Sequence, residues 1–288
     1  MKRTFNLGSE WLYFKIYCGV KSADFILVDY LKETIAQLLA QKHISKWFFI
    51  RYNDPESHLR LRFKIDNPEN LGKVITTLHP IFETLQQQNL VWKIQTDTYV
   101  RELERYGSNT YEISESIFQA DSELILEYIA LKPYFENDSI SILFSFLAVD
   151  QFLSLFSLTS EDKYQLLDRM QLSFKNEFQA DKTLKKELDK HYREMEKSIF
   201  SFLHWEENEL FIPLYEAILD KTKKIKEDIA LLEKNLEVNL FSFLNSHIHM
   251  LLNRQFTSRQ REYELLIYDH LYRYYKANYF KEVVVNTH

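Results

Sequence analysis

Residues 47–65 read as two strands joined by a turn, and they restrict the fold more than any other stretch of the chain. Residues 47–52 are largely apolar and aromatic, and residues 53–57 are rich in turn-forming types. In the next strand, apolar and basic residues alternate strictly, as in a strand with one buried face. The apolar set is Leu59, Leu61, Phe63 and Ile65, and the other set is His58, Arg60, Arg62 and Lys64. The stretch therefore predicts a β-hairpin within a sheet.

The basic side chains of the second strand allow two interpretations. Neighbouring side chains on one face of a strand lie roughly 7 Å apart, so like charges there repel unless an anion offsets them. By alternation alone, a solvent-exposed sheet face is the simpler interpretation. An anion-binding wall inside a cleft is the functional one, and the hairpin by itself leaves both open.

The composition favours long helices around a well-filled core, because only 4 Gly and 5 Pro accompany 22 Phe and 18 Tyr. With 45% hydrophobic and 27% charged residues, the chain is typical of a folded protein. No glycine-rich nucleotide-binding loop occurs in it. A net charge of −6 argues against general nucleic-acid binding, although a local basic site remains compatible with it.

The single cysteine and the absence of targeting signals predict a cytoplasmic protein. Cys18 alone forms no intrachain disulfide or thiolate metal cluster, which suits a reducing compartment. The N-terminus has no apolar run of signal-peptide length. Residues 140–158 are strongly apolar, but they contain Asp150, Gln151 and several serines, so a buried helix is expected there rather than a membrane span.

The order of elements predicts an α+β fold with a mixed or antiparallel sheet, packed with helices, in the N-terminal part. Strand, helix, hairpin, helix and strand follow one another from residue 10 to residue 100. The C-terminal part is predicted to be all-helical, with turns near Pro133 and at residues 221–224. The helices are expected at residues 113–131, 139–157, 160–174, 181–203, 209–219, 225–255 and 259–279. No linker or repeat divides the chain, so residues 1–288 are predicted to form one domain.

Two polar clusters outside the hairpin are candidate site residues. Residues 99–107 hold charged and phenolic groups just where the strand ends and Gly107 permits a sharp turn, and on sequence grounds alone a surface charge cluster is the simpler explanation. His247 and His249 are separated by about 200° around a helix and do not face one metal, so no metal site is predicted. His249 and Asn253 share a face, and His249 is either a core histidine or part of a site.

Four segments together resemble the C-terminal elimination domain of the class I, nisin-type lantibiotic dehydratases. These segments are residues 11–17, 47–62, 102–107 and 249–254, and the resemblance extends from about residue 10 to residue 280. The same domain occurs free-standing in thiopeptide-type bacteriocin biosynthesis. In this family, glutamate from glutamyl-tRNA is esterified to Ser or Thr of a precursor peptide. The elimination domain then expels glutamate and leaves dehydroalanine or dehydrobutyrine.

The resemblance implies a lyase site without cofactor or metal. By motif, Arg62, Arg105 and His249 fall on elimination residues of the family, and Glu102 falls on an acid associated with them. Substrate-binding roles are expected for Arg60, His58 and Arg254, with Lys64 at the solvent edge. Guanidinium forks suit the anionic adduct, and histidine is suited to proton transfer near neutral pH.

The resemblance also implies partners. The expected ones are a ribosomal precursor peptide and a separate glutamylating subunit, which makes this chain one half of a split dehydratase. Direct binding to tRNA or other nucleic acid and a membrane span are not expected, and the oligomeric state stays open, with a homodimer as one option. Two positions depart from the family pattern: Arg101 stands where proline is common, and Ser108 follows Gly107 where a second glycine is usual. Ser108 is therefore expected to make the turn less left-handed.

Two other functions fit the same resemblance. Some relatives form the pyridine ring of thiopeptides by a formal cycloaddition between two dehydroalanines. The presence of Arg62, Glu102, Arg105 and His249 favours elimination over that reaction. The second alternative is a non-catalytic scaffold that binds the precursor, for instance by adding a peptide strand to a sheet edge.

Overall fold

The structure is a computed structural model that describes residues 1–135, 139–205 and 208–286. The chain divides into two compact units, one of residues 1–131 and 227–258, the other of residues 132–226 and 259–288. A single domain over residues 1–288 stays a prediction. Among the residues described, no helix combines the length and the apolar character that crossing a bilayer requires.

The strands of the first unit form two sheets, and every pairing in them is antiparallel. The strands are β1 (Thr4–Phe5), β2 (Trp11–Cys18), β3 (Lys46–Asn53), β4 (Ser57–Lys64), β5 (Val91–Thr96) and β6 (Tyr99–Val100). The larger sheet has the order β3–β4–β2–β5, and β1 pairs with β6. The predicted hairpin is therefore the β3–β4 pair, and the predicted α+β class is confirmed with an antiparallel sheet.

Every described element after β6 is helical, as predicted for the C-terminal part. The helices are α1 (Ser22–Phe25), α2 (Lys32–Ala40), α3 (Asn70–Gln87), α4 (Leu103–Tyr106), α5 (Tyr111–Leu131), α6 (Ile140–Leu153), α7 (Ser160–Glu177), α8 (Lys182–Leu203), α9 (Ile212–Asn235), α10 (Leu240–Gln255) and α11 (Gln260–Asn286). A π-helical segment, Ile26–Leu31, connects α1 to α2. Helix α10 belongs to the first unit, together with α1 to α5.

The apolar face of the larger sheet packs against α3. Leu61 and Phe63 of β4 are fully buried, and the ring of Phe14 in β2 lies 5.3 Å from that of Phe82 in α3. Burying a side chain of this size stabilises the fold by about 1.5–3 kcal/mol. One face of β4 is thus committed to the core, and its basic residues necessarily point to the other side.

The predicted turn at residues 221–224 is wrong, because α9 continues through it. Ile218, Ile225 and Ile229 are buried at helical spacing on either side, and lysine is a good helix former. The break falls instead at residues 236–239. There the side chain of Asn239 accepts a hydrogen bond from the backbone N–H of Ser242 and caps α10.

The strand predicted over residues 90–100 is two strands that belong to different sheets. The carboxylate of Asp97 accepts a hydrogen bond of 2.7 Å from the backbone N–H of Thr98, and a local bond of this kind competes with a sheet ladder. The chain therefore leaves β2 and pairs β6 with β1. Both β1 and α4 are too short to show a periodic pattern, and sequence reasoning missed them.

Candidate active site

The basic side chains of β4 lie among aromatic side chains from neighbouring strands. Arg62 stands opposite Tyr13 of β2 and Phe48 of β3, while His58 stands opposite Tyr17 and Tyr52. On β5, Lys93 pairs with Tyr17 and continues the row. We call this surface the cation–aromatic face; it comprises Tyr13, Lys15, Tyr17, Phe48, Tyr52, His58, Arg60, Arg62 and Lys93.

Arg62 is enclosed by three aromatic rings and is only 8% exposed. Its guanidinium carbon lies 4.4 Å from the ring centre of Tyr13, 4.9 Å from that of Tyr99 and 5.2 Å from that of Phe48. Its buried Nε donates to no acceptor, and within the described part of the chain no carboxylate lies at ion-pairing distance. Cation–π attraction offsets part of the desolvation cost but leaves the positive charge free to bind an anion.

Arg60 is held by its two neighbours on the face. Its guanidinium carbon lies 3.4 Å from the ring centre of Tyr52, and its Nε donates a hydrogen bond of 3.1 Å to Nε2 of His58. The other ring nitrogen of His58 lies 2.7 Å from the carbonyl oxygen of Glu56, to which it donates. Since His58 is only 2% exposed, the structure places it underneath Arg60, where it orients the guanidinium.

This arrangement requires a neutral His58, which makes stability depend on pH. Burial lowers the pKa of His58 below its usual value near 6.5, and the charge of Arg60 lowers it further. Between the lowered folded pKa and 6.5, the unfolded chain binds more protons, so the free energy of unfolding decreases as pH falls through this window. We expect His58→Gln to weaken this acid-induced loss, measured as the difference in urea unfolding between about pH 7.5 and about pH 5.5.

The exposed His79 provides the matched control for this measurement. Its side chain is 64% exposed and lies 3.5 Å from the exposed Glu83, so His79→Gln should change the pH dependence of stability much less than His58→Gln does. Equal pH dependence in the His58 variant and in wild type would contradict the inferred neutral state of His58.

Glu102 and Arg105 form an ion pair at the surface, with 2.9 Å between carboxylate oxygen and Nε. Arg105 lies in α4, and Glu102 immediately precedes that helix. The helix ends at Gly107, whose φ of 76° lies in the left-handed region, and a Cβ there would stand 2.6 Å from the hydroxyl of Thr110. Among the described residues, Ser108 is not one of those with a positive φ, so Gly107 is the left-handed residue of this turn. The expectation that the turn is less left-handed than in the family stays a prediction. The backbone N–H of Ser108 donates a hydrogen bond of 2.9 Å to Glu237.

Two tyrosines connect Arg62 to Glu102. The ring of Tyr99 contacts Arg62, and its hydroxyl lies 3.4 Å from the hydroxyl of Tyr111. Tyr111 in turn accepts a hydrogen bond of 3.0 Å from the backbone N–H of Glu102. Burial raises the pKa of both phenols, which keeps them protonated as hydrogen-bond donors. Arg62 and Glu102 thus belong to one connected cluster although 40 positions separate them in the sequence.

A buried ion pair that the sequence did not reveal supports this cluster. Arg101 and Glu115 make two hydrogen bonds, of 2.7 Å from Nε and 2.6 Å from Nη2. Both residues are buried, and Glu115 also accepts a hydrogen bond from Tyr99. A residue just after β6 and a helix residue 14 positions later carry no periodic signal, so only the tertiary structure shows their pairing.

The two histidines of α10 have different environments. His247 is 1% exposed and contacts the rings of Tyr106, Phe118 and Phe243, so it is the core histidine of the pair. His249 is partly exposed and lies one turn before Asn253. The side-chain amide of Asn253 bonds both the N–H and the C=O of Arg51, which holds α10 against β3 on the side that carries His249.

Arg254 is completely buried and therefore differs from the other predicted substrate-binding residues. It donates a 2.8 Å bond to the carbonyl of Met250 and a 3.2 Å bond to the hydroxyl of Ser122, and it lies 3.8 Å from Asp121. Burial lowers its pKa to about 10. This geometry indicates a positioning role for Arg254, because its guanidinium joins α10 to α5 and presents no surface to a ligand.

The cluster can hold anions and move protons. Arg62 supplies a desolvated cation and Arg60 a partly exposed one. The Glu102–Arg105 pair at the surface is connected to Arg62 through Tyr99 and Tyr111. Among the described residues, no three His, Cys, Asp or Glu side chains are grouped closely enough to hold a metal ion. The functional groups that this cluster presents are guanidinium, imidazole, carboxylate and phenol groups.

The sequence matches the family described as Lantibiotic biosynthesis dehydratase C-term over residues 11–275. The chain belongs to this family. The chain is similar to the nisin biosynthesis protein NisB of Lactococcus lactis subsp. lactis, with 29% identity over 273 residues, covering 92% of this chain and 25% of NisB. The chain spans about a quarter of the length of the curated relatives that it matches.

Two solved structures have a similar fold at lower sequence identity. The tRNA-dependent lantibiotic dehydratase MibB from Microbispora sp. 107891 has a TM-score of 0.75 and 17% identity, covering 93% of this chain and 28% of MibB. The pyridine synthase TbtD, from thiomuracin biosynthesis, has a TM-score of 0.59 and 12% identity, covering 93% of this chain and all of TbtD.

Proposed function

We propose that this chain eliminates glutamate from glutamylated Ser or Thr residues of a ribosomal precursor peptide. The observation that carries the proposal is Arg62, a buried guanidinium surrounded by aromatic rings with no carboxylate partner in the described chain. In a site of low dielectric, such a cation binds a carboxylate far more strongly than an exposed arginine does. The adduct brings a carboxylate, and the departing glutamate generates another.

The reaction balances without a cofactor. A base removes the Cα proton, the electron pair of the C–H bond becomes the new double bond, and the Cβ–O bond breaks. The electron pair of that bond leaves with the glutamate carboxylate. We propose His249 and Glu102 as the candidates for the base, and Arg62, Arg60 and Arg105 as the cations that stabilise the developing negative charge.

In this proposal, two further predicted site residues, His58 and Arg254, position other groups and do not contact the substrate. His58 orients Arg60 through the bond between Nε2 and Nε, and Arg254 joins α10 to α5. The precursor peptide is the proposed substrate, and we propose that another protein or domain makes the glutamyl ester. Family membership and the similarity to NisB, both over most of this chain, support the proposal.

The alternative reaction, pyridine formation, draws its support from the similarity in fold to TbtD. At 12% identity that similarity concerns the fold alone. The set of cationic and acid–base groups around Arg62 fits the loss of an anionic leaving group better. Incubation with a peptide that carries two dehydroalanines tests the alternative, since formation of a ring product would support it.

A synthetic peptide tests the elimination directly. The probe is an N-acetylated peptide with one O-glutamylserine, and the products are followed by mass spectrometry and by assay of free glutamate. We expect loss of one glutamic acid from the peptide and a dehydroalanine that adds thiols. Hydrolysis would also release glutamate, but it would restore serine, one water heavier than dehydroalanine. An intact ester or a serine product would contradict the proposal.

A further inference from the structure

The two edge strands of the larger sheet, β3 and β5, differ in whether their outward backbone groups are hydrogen-bonded. In β3, several of these groups already bond to side chains. The N–H of Phe49 donates to the hydroxyl of Ser122 over 3.1 Å, and Asn253 bonds the N–H and C=O of Arg51 over 3.0 Å each. The Asn253 amide thus imitates the pairing of a neighbouring strand. Side chains of α5 and α10 therefore satisfy the backbone groups that an added strand would need.

The opposite edge, formed by β5, leaves its outward backbone groups available. The N–H of Asp97 donates to the carbonyl of Tyr13, so odd-numbered residues of β5 face β2 and the even-numbered Ile94 and Thr96 face outward. Within the residues that the structure describes, the backbone N–H and C=O groups of these two have no hydrogen-bond partner. Four side chains of this strand are exposed: Trp92, Lys93, Gln95 and Thr96.

Side chains along β5 connect this edge to the cation–aromatic face. Trp92 is 52% exposed, a large apolar surface at an open edge, and its indole N–H donates to the carboxylate of Glu56 over 3.2 Å. The ammonium of Lys93 lies 4.8 Å from the ring centre of Tyr17, whose own centre lies 4.8 Å from that of His58. The free edge is therefore continuous with the residues that hold Arg60.

From this geometry we infer that the β5 edge binds an extended segment of the peptide substrate by strand addition, an inference that rests on the proposed function. The backbone of the segment bonds the N–H and C=O groups of Ile94 and Thr96. Its side chains alternate, so every second one lies on the cation–aromatic face, and an acidic residue opposite Lys93 is favoured by charge. The occupant is thus an extended peptide that places an acidic residue opposite Lys93.

The distances determine how docking serves the reaction. Adjacent strands are about 4.8 Å apart, so an added strand lies about 14 Å from β4. At about 3.4 Å per residue, a peptide that leaves β5 needs about four residues to reach Arg60. The docked segment and the modified residue are therefore separate parts of one peptide.

Amide exchange measured by NMR tests the docking without any chemistry. The probe, which we call the arm peptide, is N-acetylated and unglutamylated, and valine or threonine alternates with glutamate along it. A second probe has the same sequence but carries N-methyl groups on alternate backbone amides. We expect the first probe to slow exchange at Ile94 and Thr96, while Lys93 and Gln95 are protected already in the free protein. The N-methylated probe should give no protection. Absence of protection at saturating arm peptide would overturn the inference, and elimination of the glutamyl ester would be judged separately by its own assay.

Variants at Thr96 sharpen the test. Thr96→Pro removes an outward N–H without removing a bond to β2, so we expect the Kd of the arm peptide to rise about tenfold or more. Thr96→Val keeps the N–H and should bind as wild type does, and continued protection of the Asp97 amide in the proline variant shows that the sheet is intact. Unchanged affinity in Thr96→Pro would overturn the inference. So would a dimer of the free protein that Thr96→Pro disperses, because the edge would then pair with a second copy.

Discussion

Replacing Arg62 with methionine is expected to lower kcat/KM for the glutamylated peptide about a hundredfold or more, without loss of stability. Preorganised positive charge at a developing anion contributes about 10²–10³ in rate per group. Methionine fills a similar volume among the rings of Tyr13, Phe48 and Tyr99 and removes a buried charge that has no carboxylate partner. The free energy of unfolding, measured in urea, should be equal to that of wild type or higher. Lower activity with undiminished stability distinguishes a functional residue from a structural one.

Lys64 gives the matched control for Arg62. It lies two residues later on the same strand and face, is partly exposed, and stands 3.8 Å from the exposed Asp66. Lys64→Met should therefore retain most of the activity. Arg62→Lys should fall between wild type and Arg62→Met, since an ammonium retains the charge but cannot form a forked pair with a carboxylate. Equal kcat/KM values for Arg62→Met and Lys64→Met would show that Arg62 does not take part in the elimination.

The strand that carries Arg62 was predictable from the sequence, but the burial of Arg62 among aromatic rings was not. Strict alternation of residues 58–65 predicted both faces of β4, because a buried face imposes a period of two. Alternation alone favoured a solvent-exposed basic face. The burial of Arg62 depends on rings from β2, β3 and β6, and Tyr99 of β6 lies 37 positions away. Local pattern carries no information about such partners.

Long helices were also predictable, because a buried helix face imposes its own periodic pattern of apolar residues. The residues at which these helices end were harder to predict. The break after α9 depends on the Asn239 cap, while the lysines at 221, 223 and 224 look like a turn only in composition. The resemblance to one family predicted the site residues by motif. The structure adds what the motif does not contain: His58 lies under Arg60, Arg254 is buried, and an ion pair supports Tyr99.

That ion pair, Arg101 with Glu115, gives the prediction with the largest effect on stability. Removing one partner of a buried pair leaves an uncompensated charge, which typically costs about 3–5 kcal/mol. We therefore expect Glu115→Gln to lower the free energy of unfolding by about 3 kcal/mol, measured by urea unfolding with circular dichroism. The exposed Glu112, 3.8 Å from Arg101, compensates part of the charge and places the expected loss at the lower end of the range.

Two comparisons separate the burial of the charge from the loss of a carboxylate as such. Glu112→Gln removes an acid one turn earlier on α5 that is 60% exposed and contacts the same arginine, and it should cost less than about 1 kcal/mol. Arg101→Met combined with Glu115→Leu removes both charges, and stability should return most of the way to wild type. Glu115 accepts a hydrogen bond from the hydroxyl of Tyr99, whose ring helps to enclose Arg62. Glu115→Gln should therefore also slow elimination, because it weakens the contact that holds this ring in place. If Glu112→Gln and Glu115→Gln cost the same, the buried pair does not support the site in this way.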